Sequence, residues 1–225
     1  MSSRNQQTRG KPPAGPSIIA DYRLLPGVPD EMIDPSGAIR PGWDKLMAAF
    51  DALGPSELAA RVERADQYLR DAGVFYRKYD GAEGKERAWP LAHIPLLIDE
   101  ADWLQISSGL TQRAELLERI VADIYGNNTL VQEGLLPPEL IAQNSEFLRP
   151  MVGVQPVSGH YLHFCAFELG RGPDGAWWVL GDRTQAPSGA GFALENRVAT
   201  TRALSEIYAS LNIHRLAGFF RAFRD

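Results

Sequence analysis

Two carboxylates, Glu168 and Asp182, stand at the ends of two strand-like runs, Tyr161 to Leu169 and Ala176 to Leu180. The turn-rich segment Gly170-Arg171-Gly172-Pro173-Asp174-Gly175 joins them. In an antiparallel hairpin, residues far apart in sequence meet across neighbouring strands. Both acids are therefore candidates for one Mg²⁺ site, because this ion prefers oxygen ligands and often takes one or two carboxylates together with nucleotide phosphates. A cation held there would offset phosphate charge during phosphoryl transfer. The alternative is a pair of solvated strand-end charges.

The loop that follows, Ala186-Pro187-Ser188-Gly189-Ala190-Gly191, lacks bulk and lets a ligand approach the backbone closely. Its N–H groups suit an anion beside a helix start, with Ser188 and Gly189 as the candidates. A plain connecting loop is the alternative, and the GxxxxGK[ST] phosphate-loop pattern is absent. Glu195-Asn196-Arg197 then groups an acceptor, an amide and a guanidinium. Arg197 can clamp a carboxylate or phosphate bidentately, or brace a helix. His160 and His163 fall on opposite faces of a strand and make a poor metal pair. His93 and His214 have no evident partners. Cys165, between Phe164 and Phe167, reads as core. Trp177 and Trp178 point to opposite faces, so one packs inward and the other covers an interface or groove.

The elements that must carry these residues follow from periodicity. Trp43, Leu46, Met47 and Phe50 at i, i+3, i+4, i+7 predict a helix over 43–53. Ser56 with Leu58, Val62, Ala65 and Leu69 predicts a second over 56–72, stopped by Gly73. Residues 74–79 read as a strand, 80–86 as a polar turn, and 94–98 as a buried extended run with Pro95 at an edge. Asp99 caps a short helix through Trp103, and a longer one covers 109–125, ended by Gly126-Asn127-Asn128. Pro137-Pro138-Glu139 opens another short helix. Residues 159–182 form a hairpin, and helices at 198–211 and 214–224 close the chain. The fold class is α+β, a mostly antiparallel sheet flanked by helices.

Composition bounds the function. The 225 residues carry a net charge of −5, with 44% hydrophobic and 23% charged residues, as a soluble globular protein does. The acidic balance argues against a general nucleic-acid binder, which needs a basic face. One cysteine excludes an internal disulfide or a cysteine metal cluster. No apolar run approaches the ~20 residues of a membrane helix. The polar N-terminus has no secretory apolar core; residues 1–16 are expected to be disordered and 17–225 to form the folded portion, in the cytoplasm. The chain stops inside the amphipathic run Phe219-Phe220-Arg221-Ala222-Phe223-Arg224, which suggests a polypeptide that continues.

The stretch DRTQAPSGAGFALENR (182–197) resembles the signature of the circularly permuted ATP-grasp type 2 family, in a DRTQAPSG subgroup. GVFYRKYDG (73–81), ERAWPLAHIPLLI (86–98), GLTQRAELLERIVADIYG (109–126), EGLLPPELI (133–141) and FLRPMVGVQP (147–156) support it, so the resemblance runs from about Ile33 to the last residue. It implies a partial circularly permuted ATP-grasp-like architecture and ATP with Mg²⁺ as cofactors. The implied activity is ATP-dependent carboxylate–amine (peptide-type) ligation, with a small molecule or peptide as substrate. It also implies Glu168 and Asp182 as metal ligands, Arg171 in the turn as an anion contact, and Arg113 on the long helix as a phosphate or substrate contact. Many relatives read Glu-Asp-Asn at the second strand end and carry a loop arginine after it. This chain reads Gly181-Asp182-Arg183, with Gln185 in the loop, and has Ala92 and Leu96 where relatives often carry Asp and Arg. These departures keep a second expectation open, a catalytically degenerate ATP-grasp scaffold. The permutation places the nucleotide-clamping lysines later in the fold than the hairpin, whereas the lysines here are Lys11, Lys45, Lys78 and Lys85. A C-terminal ATP-grasp half or a partner chain is the expected complement, and the chain alone is expected to be inactive.

Overall fold

In the computed structural model, residues 17–78 and 85–224 are described. The expected disordered segment 1–16 and most of the turn at 80–86 lie outside them. The chain divides into two compact units. One combines the described part of Met1–Leu97 with Gly189–Arg215, and the other combines Ile98–Ser188 with Leu216–Asp225.

The first unit is built on helix α1, Trp43–Asp71, which breaks inside at Gly54 (φ 73°, ψ 162°). That backbone conformation is open to glycine, and Pro55 restarts the helix with its φ already set. The two expected helices are thus the two arms of α1. Leu46, Met47 and Phe50 on the first arm and Ala65 and Leu69 on the second are at most 2% exposed. Helix α5, Ala190–Ala203, lies against α1 through small residues; Ala199 is 0% exposed, so the helices approach closely there. Helix α6, Ser205–Ser210, adds Ile207 to the same core, beside Leu204. Outside the core, the Arg61 guanidinium donates to Glu57, to the Ala203 carbonyl and to Glu206, tying α1 to the α5–α6 corner.

Strands β1 (Phe75–Lys78) and β2 (Lys85–Ala88) pair antiparallel, Phe75 opposite Ala88. The expected polar turn therefore ends earlier than Glu86, since Lys85 and Glu86 belong to a strand. Trp89 follows, stacked on Phe192 at 4.1 Å between ring centres, with Nε1 donating to Asn196 Oδ1 (2.6 Å). The run after it is extended but not wholly buried. Leu91 and Leu97 pack on the core, while Ile94 and Leu96 are 53% and 55% exposed, because a period-two segment turns only one face inward. His93 does have a partner: its Nε2 lies 3.1 Å from Asp66 Oδ1.

The second unit is organised by helix α2, Glu100–Tyr125. Asp99 caps it as expected, accepting from the Asp102 N–H (2.8 Å), but the short helix and the long one are continuous. The Ser107-Ser108-Gly109 stretch between them lowers helix propensity without stopping the helix. Beyond Gly126, the Asp123 carboxylate accepts from the Thr129 and Leu130 N–H groups (2.9 Å each) and starts α3, Thr129–Gln132. A short α4, Glu139–Ala142, follows Pro138. Glu118 of α2 accepts from the backbone N–H groups of Tyr161 and Leu162 (2.8 Å each), which fixes the entry to strand β3, Ala166–Arg171. Strand β4, Trp177–Arg183, pairs antiparallel with β3. Helix α7, Ala217–Arg224, places Phe219 and Phe223 on Phe164.

The fold is α+β, with antiparallel strand pairs flanked by helices; among the described residues the strands form two separate two-stranded ribbons. The closing helices differ from expectation: α5 starts at Ala190, directly after Gly189 (φ 115°), and a non-helical Leu204 (φ −128°, ψ 43°) separates it from α6.

Phe50→Ala should cost about 3–5 kcal/mol, because it empties a fully buried site between α1 and its neighbours. A urea unfolding series that found less than about 1 kcal/mol would contradict this account of the core.

Candidate functional site

The β3–β4 register decides how the candidate residues meet. Phe167 pairs with Asp182 and Glu168 with Gly181, but Leu169 pairs with Val179, so Leu180 is an extra residue in β4 opposite the Glu168–Leu169 step. Such a bulge reverses the facing of every later residue on its strand. One face of the ribbon carries Phe167, Leu169 and Arg171 with Trp177, Val179 and Asp182. The other carries Glu168 with Trp178, Gly181 and Arg183. Glu168 and Asp182 therefore point to opposite faces. The expectation of one shared spot for both carboxylates is corrected by this register, and its physical cause is the bulge.

Each acid has an arginine. Asp182 accepts a bidentate pair from Arg113 of α2, Nε to Oδ1 at 2.6 Å and Nη2 to Oδ2 at 2.7 Å. The guanidinium holds the Asp182 carboxyl below the usual carboxylate range, and the carboxylate pushes the Arg113 pKa further up. On the opposite face, Arg183 donates from Nε (2.8 Å) and Nη2 to Glu168 Oε1. Gly181 makes room for this pair, since a Cβ there would lie 3.3 Å from Glu168 Oε2.

Arg171 sits on the same face as Asp182, at the turn end. Its Nη2 donates to Asp102 Oδ2 (2.6 Å), its Nη1 to the Gly175 carbonyl (3.3 Å), and its guanidinium lies 4.3 Å from the Trp177 ring centre. The Arg171 contact also lowers the Asp102 carboxyl pKa. Arg113 and Arg171 thus hold the two ends of the ribbon to α2. Trp177 is half-buried on this face and Trp178 is 59% exposed on the other, as their alternation implies. Asp102 was not singled out from sequence. As an acid in the first turn of a helix it reads as a favourable partner of the helix dipole, and nothing local points to an arginine 69 residues away.

The remaining candidates are placed as follows. Ser188 is exposed and ends the second unit. Gly189 opens α5 in the first unit without a side-chain cap hydrogen bond. Arg197, also in the first unit, donates from Nη1 to Tyr208 Oη and to the His214 carbonyl (3.2 Å). Gln185 reaches Glu146 Oε2 (2.7 Å), another pairing that sequence reading missed. Cys165 is half-buried, and burial raises its thiol pKa. His163 Nε2 is 3.2 Å from Ser158 Oγ, and His160 is 3.9 Å from Glu118.

The arrangement does not fit Mg²⁺ shared by Glu168 and Asp182. Each carboxylate faces a guanidinium, and among the described residues no group of three His, Cys, Asp or Glu side chains is close enough to share an ion. No described helix is long and apolar enough to cross a membrane.

A carboxyl whose folded pKa is lowered adds stability that is present above its unfolded pKa of about 4 and is lost as pH falls through the folded value. Asp102 and Asp182 are of this kind. The melting temperature should fall on acidification below about pH 4, and D102N and D182N should each make that fall shallower. Melts followed by circular dichroism at stepped pH check this; acid slopes equal to the parent's would contradict it.

A sequence profile described as circularly permuted ATP-grasp type 2 matches residues 95–225. The chain is 33% identical over 215 residues to the uncharacterized protein Rv2567 of Mycobacterium tuberculosis, covering 92% of this chain and 24% of that protein. It is 33% identical over 184 residues to the uncharacterized protein sll0335 of Synechocystis, covering 82% and 38%, respectively. It is 32% identical over 181 residues to the uncharacterized protein ML0605 of Mycobacterium leprae, covering 80% and 32%. The chain thus spans between about a quarter and two fifths of the length of these relatives. By the profile match, which covers more than half of its residues, the chain belongs to the circularly permuted ATP-grasp type 2 family.

Proposed function

We propose that this chain is part of an ATP-dependent carboxylate–amine ligase of peptide type. The family match carries the reading. In such a reaction a substrate carboxylate oxygen attacks the γ-phosphorus of ATP, and the β–γ bridging bond breaks to release ADP. The amine then attacks the acyl carbon, forming the C–N bond as the C–O bond to phosphate breaks and phosphate departs. On this reading a C-terminal ATP-grasp half or a partner chain completes the nucleotide site, and the substrate is a small molecule or peptide.

The residues of this chain offered to anions are guanidiniums and backbone N–H groups. Arg197 supports the reading best, because among the described residues its hydrogen bonds use only Nη1. Its Nε and Nη2 keep donors for a phosphate or carboxylate, which a planar guanidinium grips bidentately. Ser188 and the start of α5 at Gly189 offer small residues and backbone N–H groups. The positive charges of Arg113 and Arg171 are already offset by the Asp182 and Asp102 carboxylates.

A second reading is a catalytically degenerate ATP-grasp unit that acts as a scaffold. The observation favouring it is that Glu168 and Asp182 are each committed to an arginine on opposite faces.

Isothermal titration of Mg-ATP into a full-length mycobacterial relative, with ADP release followed in the presence of candidate acids and amines, tests the ligase reading. Binding heat and acid-plus-amine-dependent ADP release are expected. A relative that gives no heat with Mg-ATP would overturn it and leave the scaffold. In the same relative, alanine at the position matching Arg197 should weaken nucleotide or acid binding about tenfold or more if it clamps an anion, which corresponds to about 1.4 kcal/mol.

A further inference from the structure

We infer that the β3–β4 ribbon of this chain holds no divalent cation, and that its guanidiniums occupy, in charge and in hydrogen bonding, the place such an ion would take. The inference stands on the ribbon's own geometry and does not depend on the ligase reading.

Three independent features lead to it. First, the bulge at Leu180 sends Asp182 to the α2 face and leaves Glu168 on the other, so no cation can touch both carboxylates through the ribbon. Second, Asp182 meets Arg113 bidentately at 2.6 and 2.7 Å, which engages both carboxylate oxygens with N–H donors. An Mg²⁺ ion there would lie next to a fixed positive charge and would have to displace two charge-assisted hydrogen bonds. Third, on the Glu168 face the residue directly opposite is Gly181, which offers no ligand, and the nearest cation is Arg183, already bonded to Glu168 Oε1. A carboxylate with a guanidinium beside it is neutralised without a metal. The Asp182 pair also does mechanical work, since it joins the ribbon to α2 where a bound ion would leave that helix untied.

The consequence is a ribbon whose charge balance is independent of divalent ions. Any Mg²⁺ that accompanies a nucleotide bound by this chain is then held by groups other than Glu168 and Asp182.

Mn²⁺ is the probe, because its free hexaaqua ion gives a six-line electron paramagnetic resonance signal that disappears on binding. The chain, its E168Q variant and its D182N variant are titrated against Mn²⁺ alone, with folding checked by circular dichroism. The expected result is the same free-Mn²⁺ signal for all three proteins. Mn²⁺ uptake that is equal in all three also supports the inference, since it places the ion elsewhere. Uptake by the parent that is weakened roughly tenfold or more by E168Q and by D182N would overturn it, because a shared first ligand pair loses at least as much as its supporting groups do. E168Q lies on the exposed face and tests the point even if D182N loosens the α2 contact: parent uptake abolished by E168Q alone is also fatal. A failure of Mg-ATP to bind the full-length relative would sink the ligase reading and leave this result unaffected.

Discussion

Helix α2 is fastened to the β3–β4 ribbon by two arginine–carboxylate pairs, Arg113–Asp182 and Arg171–Asp102, and the bulge at Leu180 decides that Asp182 faces the helix at all. Without the extra residue, the alternation of β4 would turn Asp182 to the Glu168 side and leave Arg113 of α2 without its carboxylate. The two pairs use residues separated by 69 positions each, so they join segments that local structure alone would not hold together. The polarity is divided between the elements: the helix supplies the acid at the turn end and the base at the other, and the ribbon supplies the reverse.

The two units are held by different means. In the first, α1 and α5 bury Phe50, Leu46, Leu69 and Ala199 in one apolar core, and polar contacts such as Arg61–Glu206 lie around its edge. In the second, Ile106 is a buried apolar residue, and much of the cohesion runs through charged side chains that capture backbone groups: Glu118 holds the entry to β3, and Asp123 starts α3. Trp178 and Leu180 on the outer ribbon face remain 59% and 70% exposed. Area removed from water stabilises the first unit without regard to direction. The second depends on directional bonds, whose value is lost when one partner is removed.

Much of the framework was legible in the residues. The i, i+3, i+4, i+7 stripe of α1 and the Asp99 cap follow from local chemistry and are present, and the aromatic hairpin is present over 166–183 in place of the expected 159–182. The errors share one origin. The two helices expected up to Trp103 and over 109–125 are one continuous α2, in which Ser107, Ser108 and Gly109 lower helix propensity without ending the helix. His93 was read as unpartnered because Asp66 lies on a different element. The common site of Glu168 and Asp182 assumed an unbroken alternation, and one unpaired residue reverses it.

The amino-acid sequence by itself determined the family and the type of most elements but not their bounds, since periodicity, caps and the run from Asp182 to Arg197 are properties of neighbours along the chain. Which charges meet was decided only by tertiary structure. A hydrogen bond requires donor and acceptor within about 3 Å, and that distance depends on strand register and on how α2 lies across the ribbon. Neither is written in the spacing of Arg113, Glu168, Asp182 and Arg183.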